Sequence, residues 1–189
     1  LKKVELCESV AVIGEKAFYE ILNLEELRLP ASLQEIGPLA FSRNGVTHVT
    51  IPGSVIRIGD HAFAACSQLS SLTLEEGIQI IGMDAFSGCR MLTEVTIPAS
   101  VTEIEPSAFS LCMRLKKVTI GEGVTIIGSG AFSHLRALES VYFKGDAPHM
   151  EGPNFFSSPA TLYYKADRRG WGDSLCGRPT AVWGAIAEE

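Results

Sequence analysis

Apolar residues return along this chain in a fixed phrase. Leu24, Leu27 and Leu29 set it, and it recurs as Val46, Val49, Ile51; Leu69, Leu72, Leu74; Leu92, Val95, Ile97; Leu115, Val118, Ile120; and Leu138, Val141, Phe143. Leu1, Val4 and Leu6 open the series. The last two positions of each phrase enclose one polar residue, the period-two alternation of a strand with one buried face. Its β-branched residues suit that state. Pro30, Pro52 and Pro98 follow their phrases directly and stop the strand, because proline cannot donate to a ladder. A second extended piece comes next, as in Ser100 to Ile104. It leads to an Ala-Phe segment too short for a full helix, and the spacing predicts one helical turn there that drops Phe into the core.

Two further markers keep step with the phrase. Ala-Phe ends at Phe18, Phe41, Phe63, Phe86, Phe109 and Phe132, with gaps of 23, 22, 23, 23 and 23 residues. Phe155 falls 23 further on, with Asn154 in place of Ala. Ile-Gly recurs at Gly14, Gly37, Gly59, Gly82 and Gly128, with Ile104-Glu105 as the variant. Such self-similarity is the signature of a solenoid, in which each unit buries its apolar ring only by stacking on its neighbours. Every coil runs the same way, so the strand ladder is parallel.

The unit reads approximately LxxVTIPxSVTxIGxxAFxxC and resembles the BspA-like leucine-rich repeats, over about Leu1 to Phe143. The resemblance implies a right-handed leucine-rich-repeat solenoid of β-rich coils, with a parallel strand ladder and short helical turns. It also implies a surface or secreted protein that binds proteins or host matrix. No catalytic residues come with it. Departures are few: Ile104-Glu105 loses the glycine, Asn44 and Leu135 replace the cysteine, and the 22-residue unit ending at Phe63 is one residue short in the loop leading into its strand.

About six clear repeats occupy residues 1–145, and residues 146–189 form a degenerate seventh repeat and a C-terminal cap. From Lys144 onward Pro, Gly and Ser thicken, Met150 and Phe155 keep the register, and Ala160 to Tyr164 make a compressed eighth strand. A solenoid end exposes an apolar cross-section and needs covering. The segment from Arg168 to Trp183 is expected to do this, with Val182 and Trp183 over the open end. The rival reading makes Trp171, flanked by two glycines, a sugar-stacking platform. The opening Leu1 to Leu6 reads like mid-repeat text, close to Leu115 to Ile120, so further repeats or a domain are expected before Leu1, or a partner over that end.

Bulk properties narrow the function classes. A net charge of -6 and a pI near 5.3 argue against nucleic acid or an anionic membrane as partner. No run of 18 apolar residues exists to span a bilayer. Five cysteines leave at least one unpaired. Cys66, Cys89 and Cys112 lie 23 apart and read as a buried column of free thiols, or at most one disulfide among the three. His48, His61, His134 and His149 have no metal-ligand spacing, and no nucleophile elbow, P-loop or dinucleotide fingerprint occurs. No cofactor or metal is expected. Glu75, Glu76, Glu103, Glu105 and Glu122 near turns read as a solvated acidic edge, with a weak calcium site as the alternative.

The outward strand positions remain as candidates. One column runs Glu5, Arg28, Thr50, Thr73, Thr96, Thr119 and Tyr142, and a more varied one runs Lys3, Glu26, His48, Ser71, Glu94, Lys117 and Ser140. The threonines fit plain strand propensity on an exposed face. They also fit a flat polar sheet for recognition, in which the varied column supplies specificity. Glu26, Arg28, His48, Thr50, Ser71, Thr73, Glu94, Thr96, Lys117, Thr119, Ser140 and Tyr142 are therefore the expected binding residues of a non-enzymatic protein-binding or adhesion module, extracellular by resemblance. A structural spacer within a larger protein is the alternative, followed by a carbohydrate-binding module.

Overall fold

A computed structural model describes residues 1–184. Nine strands line one face: β1 (Lys3–Glu5), β3 (Glu26–Arg28), β5 (His48–Ile51), β7 (Ser71–Leu74), β9 (Glu94–Ile97), β11 (Lys117–Ile120), β13 (Ser140–Phe143), β15 (Thr161–Tyr164) and β17 (Arg178–Val182). Between them run the two-residue strands of a second face: β2 (Val12–Ile13), β4 (Glu35–Ile36), β6 (Arg57–Ile58), β8 (Ile80–Ile81), β10 (Glu103–Ile104), β12 (Ile126–Ile127) and β14 (His149–Met150). The second face is one unbroken parallel sheet from β2 to β14, in which Ile104 pairs with both Ile81 and Ile127. β16 (Ser174–Leu175) belongs to the C-terminal end.

The strand alternation holds residue by residue. In β9, Glu94 and Thr96 are exposed while Val95 and Ile97 are buried. The phenylalanines pile into a column from Phe18 to Phe155, with ring centroids 5.1–5.7 Å apart and interplanar angles no larger than 14°. Phe41 to Phe155 are buried, whereas Phe18, at the first coil, is covered on one side and half-buried. Each ring thus completes the burial of the next, the reason one coil cannot stand alone.

The expected helical turn at Ala-Phe is not formed: the described residues contain no helix. Alternate amides there point to the next coil instead of along the chain. The Leu39, Phe41 and Arg43 N–H groups donate to the Asp60, Ala62 and Ala64 carbonyls at 2.9, 2.7 and 2.8 Å. The intervening Ala40 and Ser42 N–H groups close local turns on Gly37 and Leu39. Such alternation needs left-handed backbone on either side of each Phe, and Leu39 (φ 57°) and Arg43 (φ 58°) supply it. His61 and Ala65, and Ser107 and Leu111, repeat the pattern. Non-glycine residues pay about 1–2 kcal/mol each for this conformation. The gain is a third ladder of inter-coil hydrogen bonds, which a helical turn would consume locally.

The cysteine position has one task. The Cys66, Cys89 and Cys112 thiols donate to the Phe41, Phe63 and Phe86 carbonyls of the preceding coil at 3.1, 3.4 and 3.2 Å. All three are buried and free. Burial pushes the Cys66 thiol up to about 12 and that of Cys89 well above its ordinary value, which keeps the donating proton in place. Asn44 does the same work at the same position, its Nδ2 donating to the Phe18 carbonyl at 2.6 Å, and Ser158 does so to Phe132 at 2.7 Å. Leu135 fills the position without a donor.

The acidic residues near turns staple neighbouring coils. Glu76 accepts the Ala99 and Ser100 N–H groups at 3.0 Å each, which holds its carboxyl below the usual range. Glu122 meets Arg168 at 3.2 Å. Glu105, at the position where glycine is lost, takes a bidentate contact from Arg57 at 2.6 and 3.0 Å and also accepts the Met83 N–H at 2.9 Å. Arg57 further reaches Asp60 at 2.6 Å, so one guanidinium joins coils 48 residues apart.

At the C-terminal end β17 pairs parallel with β15, and β16 then pairs antiparallel with β17. Cys176 (φ 49°) and Gly177 (φ 72°) turn this hairpin with left-handed backbone at both residues, as a type I′ turn requires. A two-residue reversed strand blunts the open edge of the parallel stack. The tryptophans exchange their expected places. Trp171 packs against the core, 4.8 Å from Phe143 and stacked at 4.9 Å on Tyr164, with its Nε1 donating to the Gly145 carbonyl. Trp183 lies on the strand face. The last five residues of the expected cap, 185–189, lie outside the described residues.

Candidate functional site

The outward positions of the nine strands are brought side by side by parallel register. Glu26 pairs with Lys3 and His48, Thr50 with Thr73, Lys117 with Glu94 and Ser140, and Thr119 with Thr96 and Tyr142. Of the twelve expected binding residues, Thr119, Ser140 and Tyr142 are half-buried and the other nine are exposed. The two columns do not run unbroken. Among the described residues no backbone pairing joins β7 to β9, so the face divides into β1–β7 and β9–β17. Within the first part, β3 and β5 pair only at Glu26 and His48.

That weak pairing coincides with the short coil. The loop after Phe41 reaches Val46 in five residues where other coils take six. Gly45 runs against the Leu22 backbone so closely that a Cβ there would overlap the Leu22 carbonyl. A cleft of about 420 Å³ lies over this seam, with Arg28, His48, Thr50, Ser71 and Thr73 among its walls. A second cleft of about 390 Å³ lies over the break between β7 and β9, walled by Thr73, Glu94, Thr96, Lys117 and Thr119. Nine of the expected residues thus line one cleft or the other; Glu26, Ser140 and Tyr142 do not.

Charge is distributed unevenly over the two parts. In the first, Lys3 lies 3.3 Å from Glu5 and 3.9 Å from Glu26, and Arg28 lies 3.8 Å from Glu5. In the second, the Lys117 ammonium sits 5.3 Å from the Tyr142 ring centroid. Tyr142 stacks on Tyr163 at 4.9 Å, and Trp183 leans on Tyr142 at 5.3 Å with Lys165 5.8 Å from its ring. Tyr163, Lys165 and Trp183 are not among the twelve expected binding residues, and the expected place of Trp183 is over the open end. The coil from Tyr142 to Tyr163 is compressed to 21 residues, and counting from the Leu138 phrase into Leu162 recovers Tyr163. Trp183 carries no such signal, since its place depends on the reversed hairpin before it.

A tandem of such coils, six repeat copies long, matches the BspA type leucine rich repeat region across residues 1–79 and 36–161. The chain belongs to the BspA-type leucine-rich repeat family. Several solved structures, leucine-rich repeat proteins among them, share the fold. A leucine-rich repeat protein from Bacteroides ovatus superposes with a TM-score of 0.58 at 22% identity, over 87% of this chain and 55% of its own. The T. pallidum leucine rich repeat protein gives 0.60 at 23% identity, over 67% of this chain and 61% of its own. The pneumococcal vaccine antigen PcpA gives 0.57 at 17% identity, over 86% and 62%. The chain therefore spans 55–62% of the length of these three structures. No curated protein matches the sequence.

Among the described residues no three His, Cys, Asp or Glu side chains converge as a metal site. No helix there is long and apolar enough to cross a membrane. His61 comes no nearer than 3.9 Å to Asp84, and His48 shares a 2.8 Å hydrogen bond with the Thr47 hydroxyl.

Proposed function

We propose that this solenoid is a non-enzymatic binding module of a surface or secreted protein, holding a protein or host-matrix partner on its strand face. The observation that carries the reading is the pair of clefts over the seams of that face, walled by the threonine column together with His48, Ser71, Glu94 and Lys117 of the column that varies between repeats. A regular scaffold with varied exposed positions gives specificity without ordering cost, because the strands are rigid before the partner arrives. The repeat family supports the extracellular placement, and one of its structural neighbours is a vaccine antigen.

The test is a pair of charge reversals in the second cleft, Glu94→Lys and Lys117→Glu. Each is expected to reduce capture of a partner in an unbiased pull-down with the intact parent protein, while the melting temperature stays unchanged. A partner captured equally by wild type and both variants would place the binding face elsewhere.

A further inference from the structure

We infer that the C-terminal end of the strand face is a separate site for an acidic carbohydrate, with the Trp183 indole as its platform. The site goes beyond the protein-binding reading, because its aromatic platform and Lys165 lie outside both clefts and it shares only Lys117 with the second. Its construction begins with β17. The Trp183 N–H donates to the Tyr164 carbonyl at 2.6 Å, which fixes the residue at the strand's end. From there the indole reaches across two strands and rests on Tyr142 at 5.3 Å, with a tilt of 56°. Tyr142 is held in turn by its stack on Tyr163, at 4.9 Å and 15°. Three rings therefore support one another before any ligand binds, and Trp183 remains 37% exposed. A pyranose ring offers a flat face of C–H bonds that matches one indole in size.

The cations choose the kind of sugar. Lys117 stands over the Tyr142 ring, 5.3 Å from its centroid, and Lys165 over the Trp183 ring, 5.8 Å from its centroid. Among the described residues neither ammonium has a carboxylate within 4.0 Å, whereas Lys3 and Arg28 on the first part of the face are both paired with glutamates. In a chain of net charge -6, two uncompensated cations beside an aromatic platform suit the carboxylate of a uronate. Among the described residues no hydrogen bond engages the Tyr142 or Tyr163 hydroxyl, leaving both for sugar hydroxyls. A protein partner fits the spot less well, since a stable interface buries about 800 Å² on each side and this platform is one indole wide. Trp171 cannot serve, because Phe143 and Tyr164 pack on its ring.

The chain has two tryptophans, so wild type and a Trp171→Phe variant can both be followed by emission while oligogalacturonate, maltooligosaccharide or polyglutamate is added. The expected result is a saturable change with oligogalacturonate alone, weakened by added salt. Trp183→Ala should lower that affinity by about tenfold or more, the loss typical of truncating an aromatic anchor. Lys165→Glu should lower it while leaving the melting temperature unchanged. Arg28→Ala, in the first cleft and away from Lys117, should leave the sugar titration as in wild type, so failure of the protein-binding reading in the pull-down and failure of this one in the titration are separable. If Trp171→Phe does not fold, calorimetry on wild type and Trp183→Ala replaces the emission readout. No response to oligogalacturonate, an equal response to maltooligosaccharide, or wild-type affinity in Trp183→Ala each overturns the site. A response to polyglutamate in place of the sugar overturns it in favour of an acidic peptide.

Discussion

The β1–β7 and β9–β17 parts of the strand face stand on the same coil and present different chemistry. The first pairs its charges with one another and loses backbone pairing at the short coil. The second pairs fully from β9 to β15 and sets Lys117 and Lys165 over aromatic rings, with no carboxylate within 4.0 Å among the described residues. Behind both, the second face runs unbroken from β2 to β14. The contrast shows that a solenoid's continuity is held by its core and its back sheet. The front is free to open at seams, and the seams are where side chains enclose space. The last described coil is crossed by a reversed hairpin.

The largest expected effect separates interior from end. Phe86 is buried and stacked between Phe63 and Phe109 at 5.5 and 5.3 Å. Phe86→Ala should cost about 3–5 kcal/mol in denaturant unfolding, the usual price of a phenylalanine-sized cavity. Phe18→Ala, at a ring packed on one side only, should cost less than half as much. Equal losses would mean that the first coil is covered as completely as the middle ones.

Next comes an alkaline transition confined to part of the stack. The folded Cys66 thiol, at about 12, lies above its unfolded value of about 8.5. A raised folded value means the stabilisation is full below the unfolded pKa and is lost as pH rises through the folded one. Between about pH 9 and 12, the coils around Cys66 and Cys89 should therefore lose amide protection, while those carrying Leu135 and Ser158 keep it. Cys66→Ser keeps a donor with no thiol to ionise and should flatten the pH dependence at that coil. An alkaline transition spread evenly along the stack would break the comparison.

How much of this was legible follows from which signals are periodic in side chains. The Leu-Val-Ile phrase, the phenylalanine column and the parallel ladder all repeat as residue types, so they could be read. The turn around each Phe could not, because its backbone alternation is carried by residues as different as Leu39, His61 and Ser107. Only Gly88 and Gly130, glycines with positive φ in the same slots, hint at it. Asn44 looked like a loss from the motif and is a conserved function in another residue: the same hydrogen bond to the preceding phenylalanine's carbonyl. The candidate columns were legible because strand register is set by the period. The seams that give them shape were not, since a missing ladder hydrogen bond leaves no mark in the apolar pattern. Trp183 was out of reach because a two-residue turn at Cys176 and Gly177 decides where it lands.

A smaller effect tests what holds the two parts together. Arg57 and Glu105 lie on opposite sides of the β7–β9 break and meet across the back sheet at 2.6 Å. The guanidinium is about 39% exposed and Glu105 about 21%, so solvent weakens the pair. Glu105→Gln should then cost about 1–2 kcal/mol, the range for hydrogen bonds to charged groups after that discount. In a double-mutant cycle Arg57→Ala and Glu105→Gln should fall short of additive by the contact they share, although Arg57→Ala also removes the Asp60 contact. Full additivity would show that the clamp does not bridge the break.

The smallest change in free energy is the sharpest test of the seams. Inserting one serine between Asn44 and Gly45 restores 23 residues to the short coil. If length causes the partial pairing of β3 with β5, the added residue should let pairing extend past Glu26 and His48. Each new backbone hydrogen bond gains about 0.5–1.5 kcal/mol net, while ordering one more residue costs about 1–2. The two nearly cancel, so the melting point should move little. Amide exchange in β3 and β5 should slow nonetheless, and the cleft beside Arg28 and Thr50 should narrow. The β7–β9 break spans a full 23 residues from Ser71 to Glu94, so it should not respond. Unchanged exchange in β3 and β5 would show that side chains, not coil length, hold the first seam open.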